Sequence, residues 1–251
     1  MRRLVALAAT GVLTAALLAG CGSDAPSANS VTVFAAASLK QSFTQLGDQF
    51  ESDHPGTTVD FSFAGSSDLV TQLTQGAAAD VFASADAKNM QKAADAGLLD
   101  GAPVDFASNV LTIAVAPGNP KGVASFRDLT RPGLAVVTCA PQVPCGSATQ
   151  KVEQTTGVAL APVSEESSVT DVLNKVSSGQ ADAGVVYVTD VAGAGGSVTA
   201  VDFPESAGAV NTYPIATLQD AANAERAREF VDFVTGPAGR QVLRQAGFGA
   251  P

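Results

Sequence analysis

Short β-branched and aromatic runs alternate along this chain with stretches whose apolar residues fall three and four apart. Val31-Thr32-Val33-Phe34-Ala35 predicts a buried strand, and Leu39, Phe43, Leu46 and Phe50 predict a helix packed on it. His54-Pro55-Gly56 marks a turn, Thr58 to Phe63 alternates as a second strand, and Gly65-Ser66-Ser67-Asp68 opens a helix that buries Leu69, Val70 and Leu73. The same reading predicts strands at 81–83, 110–116, 134–138, 183–188, 198–203 and 213–218. Helices are predicted at 86–96, 125–129, 148–155, 169–178, 223–234 and 237–246, with a loop carrying Cys139, Pro141, Pro144, Cys145 and Gly146 ahead of the third. Strands alternating with helices predict an α/β fold of parallel, doubly wound sheets.

Leu73 to Ala83 and Val176 to Val186 share one plan: a helix end, a glycine, Ala-Asp, then a buried strand. Helix-to-strand loops in general look alike, because glycine commonly follows a helix. The alternative is a repeated βαβ unit, which gives two lobes facing each other across a cleft.

The first thirty residues do not join this pattern. Met1-Arg2-Arg3 is a basic start, and an apolar run from Leu4 to Ala19 follows, the form of a secretory leader and too short for a confident membrane span. Leu18-Ala19-Gly20-Cys21 resembles a bacterial lipobox, which implies cleavage after residue 20 and a lipidated Cys21. Residues 21–30 are small and polar and read as a flexible tether. Removing Arg2 and Arg3 with the leader takes the formal charge from −10 to −12. An acidic surface disfavours nucleic acid, and any anion bound here has to be held by local dipoles against the long-range field.

Few residues point to chemistry. His54 is the only histidine and sits in a turn; there is no Gly-x-Ser-x-Gly elbow, no phosphate loop and no dinucleotide fingerprint. A hydrolase using Ser38 or Ser66 as nucleophile lacks a base, so no enzyme activity and no cofactor are expected. One histidine and two unassigned cysteines offer little to a metal. Glu165-Glu166 reads as a solvated loop. Cys139 and Cys145, exported and with five residues between them, are expected to form a disulfide. What recurs is serine at helix starts. One such serine is ordinarily an N-cap, but several helix N-termini converging on one cleft bind an oxyanion without any cation.

Val33-Phe34-Ala35-Ala36-Ala37-Ser38-Leu39, Phe63-Ala64-Gly65-Ser66-Ser67, the run Ala79 to Asp86, Val143-Pro144-Cys145-Gly146, Ser168-Val169 and Gly184-Val185-Val186-Tyr187 together resemble the periplasmic molybdate-binding proteins, in order from Val31 to Phe248. The resemblance implies a two-lobed type II periplasmic-binding fold. Residues 31–106 and 216–251 would form lobe one and 107–215 lobe two, with hinge strands near Asn109 and Tyr213. It implies oxyanion ligands at Ser38 and Ser66, at the amides of Cys145 and Val169, and at the Tyr187 hydroxyl. Cys145 departs from the alanine of some relatives, which an amide ligand tolerates. It also implies molybdate or tungstate as cargo, with sulfate the nearest alternative. A monomer on the outer face of the cytoplasmic membrane would serve an ABC permease and its ATPase. A sensor or adhesion lipoprotein built on the same clamp is a third possibility, distinguished by the absence of transport.

Overall fold

Two five-stranded sheets carry the structure, a computed structural model that describes residues 29–251. The leader, most of the tether and Cys21 lie outside the described residues. The first sheet contains β1 (Ser30–Ala36), β2 (Thr58–Ala64), β3 (Val81–Ala83), β4 (Val104–Asn109) and β10 (Asn211–Thr217), in the order β2-β1-β3-β10-β4. Helices α1 (Lys40–Asp53), α2 (Ser66–Thr74), α3 (Ala87–Asp95), α7 (Ala224–Thr235) and α8 (Pro237–Gln245) accompany it. The second contains β5 (Leu111–Val115), β6 (Val136–Cys139), β7 (Ser164–Glu166), β8 (Ala183–Tyr187) and β9 (Thr199–Val201), in the order β7-β6-β8-β5-β9. Its helices are α4 (Pro144–Thr156), α5 (Val169–Ser177) and α6 (Val188–Gly193). Each sheet has its own core, one around Phe43, Phe50 and Phe230 and the other around Ile113, Val172 and Val185. The chain is thus a mixed α/β protein of two lobes.

The sheets are mixed rather than parallel, which corrects the sequence expectation. Strands β2, β1 and β3 run parallel, as do β7, β6 and β8, but β10 is antiparallel to β3 and β4, and β5 is antiparallel to β8 and β9. Helical crossovers join the parallel strands. The antiparallel ones enter where the chain passes from one lobe to the other, so no helix sets their direction. The ladder of β4 with β10 puts Asn109 opposite Asn211, and β5 begins at Leu111, so the passages lie at Val110 and Val210.

The echo between the two Ala-Asp segments is a structural repeat. Gly76 and Gly179 both adopt left-handed backbone, at φ 92 and 75. Asp80 donates its N–H to the Thr32 carbonyl at 2.8 Å and accepts the Thr32 N–H at 2.7 Å. Asp182 does the same to Ala135, at 2.8 and 2.9 Å. In both lobes an aspartate thereby fastens the central strand to its neighbour.

Local differences have local causes. Helix α4 begins at Pro144, not Ala148, because proline at the first helical position sacrifices only an N–H that has no partner there. Glu165 and Glu166 belong to edge strand β7, whose Glu166 is paired with Lys175 on α5. The helix expected at 125–129 is a 3-10 turn, Phe126–Thr130. Strand β4 and helix α6 have no counterpart in the hydrophobic pattern.

Candidate oxyanion site

Four helix starts meet between the lobes. A 3-10 turn, Ala37–Leu39, leads into α1 and carries Ser38; α2 starts at Ser66, α4 at Pro144 and α5 at Val169. Ser38, Ser66, Cys145, Val169 and Tyr187 all line one cavity of about 10 Å³ with Gly65 and Ala85, and no lining residue is charged. The first N–H groups of a helix have no partner within it and carry its partial positive charge, so the cavity is bordered by neutral donors. Lys40 and Lys151 do not line it. His54 is elsewhere, closing the end of α1 with its Nδ1 2.8 Å from the Phe50 carbonyl, so it offers neither serine a base.

The two serines do not cap their helices. The N-cap of α2 is Gly65, and the Ser66 hydroxyl accepts the Ala85 N–H at 3.0 Å. Ser38 Oγ lies 3.0 Å from Tyr213 Oη. Ser168, by contrast, is a true N-cap and accepts the Asp171 N–H at 3.2 Å. Tyr187 ends β8 with its hydroxyl buried and without a hydrogen-bond partner among the described residues. Burial above all, and then the neighbouring Tyr213, holds that phenol well above its ordinary pKa, so it remains a donor. Behind it, Asp190 accepts the Tyr187 N–H at 2.9 Å; burial pushes this carboxyl up to about 7 against the pull of that N–H.

Loop and hinge contacts fix these groups. Cys139 and Cys145 form the expected disulfide, Cα atoms 5.7 Å apart, and it holds the first turn of α4 against the end of β6. A Cβ on Gly146 would stand 2.0 Å from the Ala140 carbonyl oxygen, so only glycine lets that loop lie so close to the helix start. Asp86, whose pKa burial raises, caps α3 by accepting the Asn89 N–H at 2.8 Å, and the Asn89 amide reaches the Gln142 carbonyl of the other lobe at 3.5 Å. Asn211 donates to the Ala85 carbonyl at 2.8 Å and, across the cleft, to that of Pro144 at 3.5 Å. Across the cleft, a Cβ on Gly65 would meet the Ser167 carbonyl oxygen at 2.1 Å. The lobes are therefore closed on one another. Gly65 and Ala85 stood in motifs read from the sequence, and Asn109 and Tyr213 only as markers of the hinge strands; nothing local marked Asn211, and these last three reach the site through the register of β4 with β10.

Two lobes closed over a small cavity of uncharged donors make this a solute-binding protein of the clamp type. The chain belongs to the bacterial extracellular solute-binding protein family, which it matches over residues 31–249. It is 56% identical to the molybdate-binding protein ModA of Mycobacterium tuberculosis over 254 residues, covering 96% of this chain and 97% of that one. Among solved structures it is similar to the periplasmic molybdate-binding protein of Azotobacter vinelandii, with TM-score 0.76 and 23% identity over 88% of this chain and 99% of the other. It is as similar to the sulfate-binding protein SubI of M. tuberculosis, with TM-score 0.77 and 21% identity over 88% and 86%. The fold alone thus does not choose between these anions.

Proposed function

We propose that this chain is an extracytoplasmic solute-binding protein, lipid-anchored through Cys21, that captures molybdate or tungstate and delivers it as a monomer to an ABC permease driven by its ATPase. One observation carries the reading: Ser38, Ser66, Cys145, Val169 and Tyr187 share a cavity whose donors are neutral. A tetrahedral dianion presents only acceptors, and helix N-termini with hydroxyl groups supply only donors toward it. Hydrogen phosphate would need an acceptor for its proton, and no carboxylate lines the cavity. The 56% identity to a molybdate-binding protein supports molybdate over sulfate, which is equally free of protons and differs in size. Among the described residues no helix is long and apolar enough to cross a membrane, so the proposed attachment is the lipid alone. The lobes are proposed as 31–106 with 216–251 and 107–215, and the pairing of Asn109 with Asn211 supports drawing the second more narrowly, at 110–210.

Calorimetry with molybdate, tungstate, sulfate and phosphate in parallel tests the reading. Ser38→Ala, Ser66→Ala and Tyr187→Phe are each expected to weaken molybdate binding by about 1.5 to 3 kcal/mol, the worth of a hydrogen bond to a charged group. Unchanged affinity in all three overturns the assignment, and tighter binding of sulfate than of molybdate replaces the cargo.

A further inference from the structure

Tyr213 belongs to β10, lies outside the cavity lining and is fully buried, yet its hydroxyl touches a residue that does line it. The direction of that contact can be worked out from its neighbours. Asn109 Oδ1 accepts the Val110 N–H at 3.0 Å, which orients the amide and turns its Nδ2 away from that backbone. Nδ2 then donates to Thr189 Oγ1 at 2.7 Å and, over a longer 3.4 Å, to Tyr213 Oη. A phenol that receives a proton from Asn109 has its own left to give. Ser38 Oγ, at 3.0 Å, stands in position to accept it. Burial keeps Tyr213 protonated far above neutral pH, so the donation persists at any working pH.

We infer that Tyr213 is a positioning residue for anion selectivity: it donates to Ser38 Oγ and so compels the Ser38 proton to point into the cavity. Ser66 is held the same way, because its Oγ accepts the Ala85 N–H and its own proton is free to turn toward the cavity. A protonated oxygen placed against either serine would meet a proton instead of a lone pair. The serines alone do not ensure this, since a free hydroxyl rotates and donates or accepts as required. This inference rests on the proposed oxyanion function and specifies how the site refuses hydrogen-bearing anions.

The test is Tyr213→Phe, which keeps the ring packed against Phe106, Phe248 and Tyr187 and removes only the hydroxyl. Calorimetry at pH 8 would measure molybdate against hydrogen phosphate and hydrogen arsenate. We expect molybdate affinity to fall about tenfold, as for a weakened hydrogen bond to a charged group, and the preference over the protonated anions to fall by a similar factor. In a Ser38→Ala background the same change should have little further effect, because it acts through Ser38. A purely structural role would lower thermal stability without changing the ratio between anions. Unchanged selectivity, or full additivity with Ser38→Ala, overturns the inference while leaving the binding function intact; failure of the wild type to bind any oxyanion removes both. Should the variant not fold, neutron diffraction of the deuterated wild type with molybdate decides, since a deuteron on Ser38 pointing at Tyr213 is the opposite of what we infer.

Discussion

The two lobes share one strand plan, yet they are filled and fastened differently. In lobe one, Phe43 stands within ring contact of Phe61, Phe106 and Phe230, at centroid distances of 5.7 to 6.3 Å. The second lobe's core is rich in valine, including Val136, Val137, Val152, Val172, Val176, Val185 and Val186, with Phe126 and Phe203 as its aromatic pair. Matching topologies built from such different residues show that the order of apolar and polar positions, not residue identity, selects the plan. Function divides along the same line. Lobe one presents serine hydroxyls whose acceptor sites are already engaged by Ala85 and Tyr213, and lobe two presents first-turn amides and a tyrosine. Hydrogen bonds steady the first set, whereas a covalent bridge steadies part of the second.

The sharpest way to separate lobe from clamp is Gly65→Ala. Gly65 has φ −59 and ψ 139, open to any residue, so the change should leave lobe one's stability intact. Its methyl would nevertheless collide with Ser167 across the cleft. We expect molybdate affinity to drop on the order of 100-fold, about 3 kcal/mol, with an unchanged melting temperature of the ligand-free protein. Wild-type affinity would show that binding does not require this approach of the lobes.

A smaller effect should distinguish the two aspartate clamps. Asp80 is buried and also accepts the Asn223 N–H at 3.3 Å, whereas Asp182 is partly exposed and paired with Lys121 at 3.4 Å. Asp80→Ala should cost about 2 to 3 kcal/mol in denaturant unfolding and Asp182→Ala about 1 kcal/mol. Equal losses would mean that the clamps do not depend on burial. Breaking the bridge that lobe one lacks comes next: Cys139→Ala with Cys145→Ala should lower stability by about 2 kcal/mol on the chain-entropy account. Because the Cys145 amide survives, some affinity should too, and a complete loss of binding would show that the bridge is indispensable to the α4 start. Salt should matter least. With no cation lining the cavity, affinity should stay level or rise slightly between low and moderate ionic strength, and a steep fall in calorimetric affinity would identify a lysine or arginine ligand.

Much of this arrangement was legible in the sequence. Hydrophobic spacing placed most strands and helices to within a few residues, and the Ala-Asp echo pointed to the repeat. Strand β7, Ser164-Glu165-Glu166, escaped because an edge strand need not be apolar. Helix α6 escaped because Val188 continues the valine run of β8, so period and composition both read as strand. The antiparallel direction of β5 and β10 depends on passages between lobes that leave no local signal. For the site, serines at helix starts suggested an oxyanion, but the five positions came from family resemblance. Tyr213 reaches Ser38 across 175 residues of chain, and only the assembled sheet brings them together.

The position of β10 bears on the order in which the protein can be built. It sits between β3 and β4, and within the sheet β4 has no other partner. Residues 110–210 form one continuous stretch that holds every strand of the second sheet. As the chain emerges from N-terminus to C-terminus, the second lobe can be complete while the first still lacks β10 and the Phe230, Val234 and Leu243 of α7 and α8. The lobe that begins first finishes last, its ends joined by contacts of high sequence separation whose closure is slow. Rotating the chain order so that synthesis starts at Asn211 would make that lobe contiguous and should speed its folding without altering a single native contact.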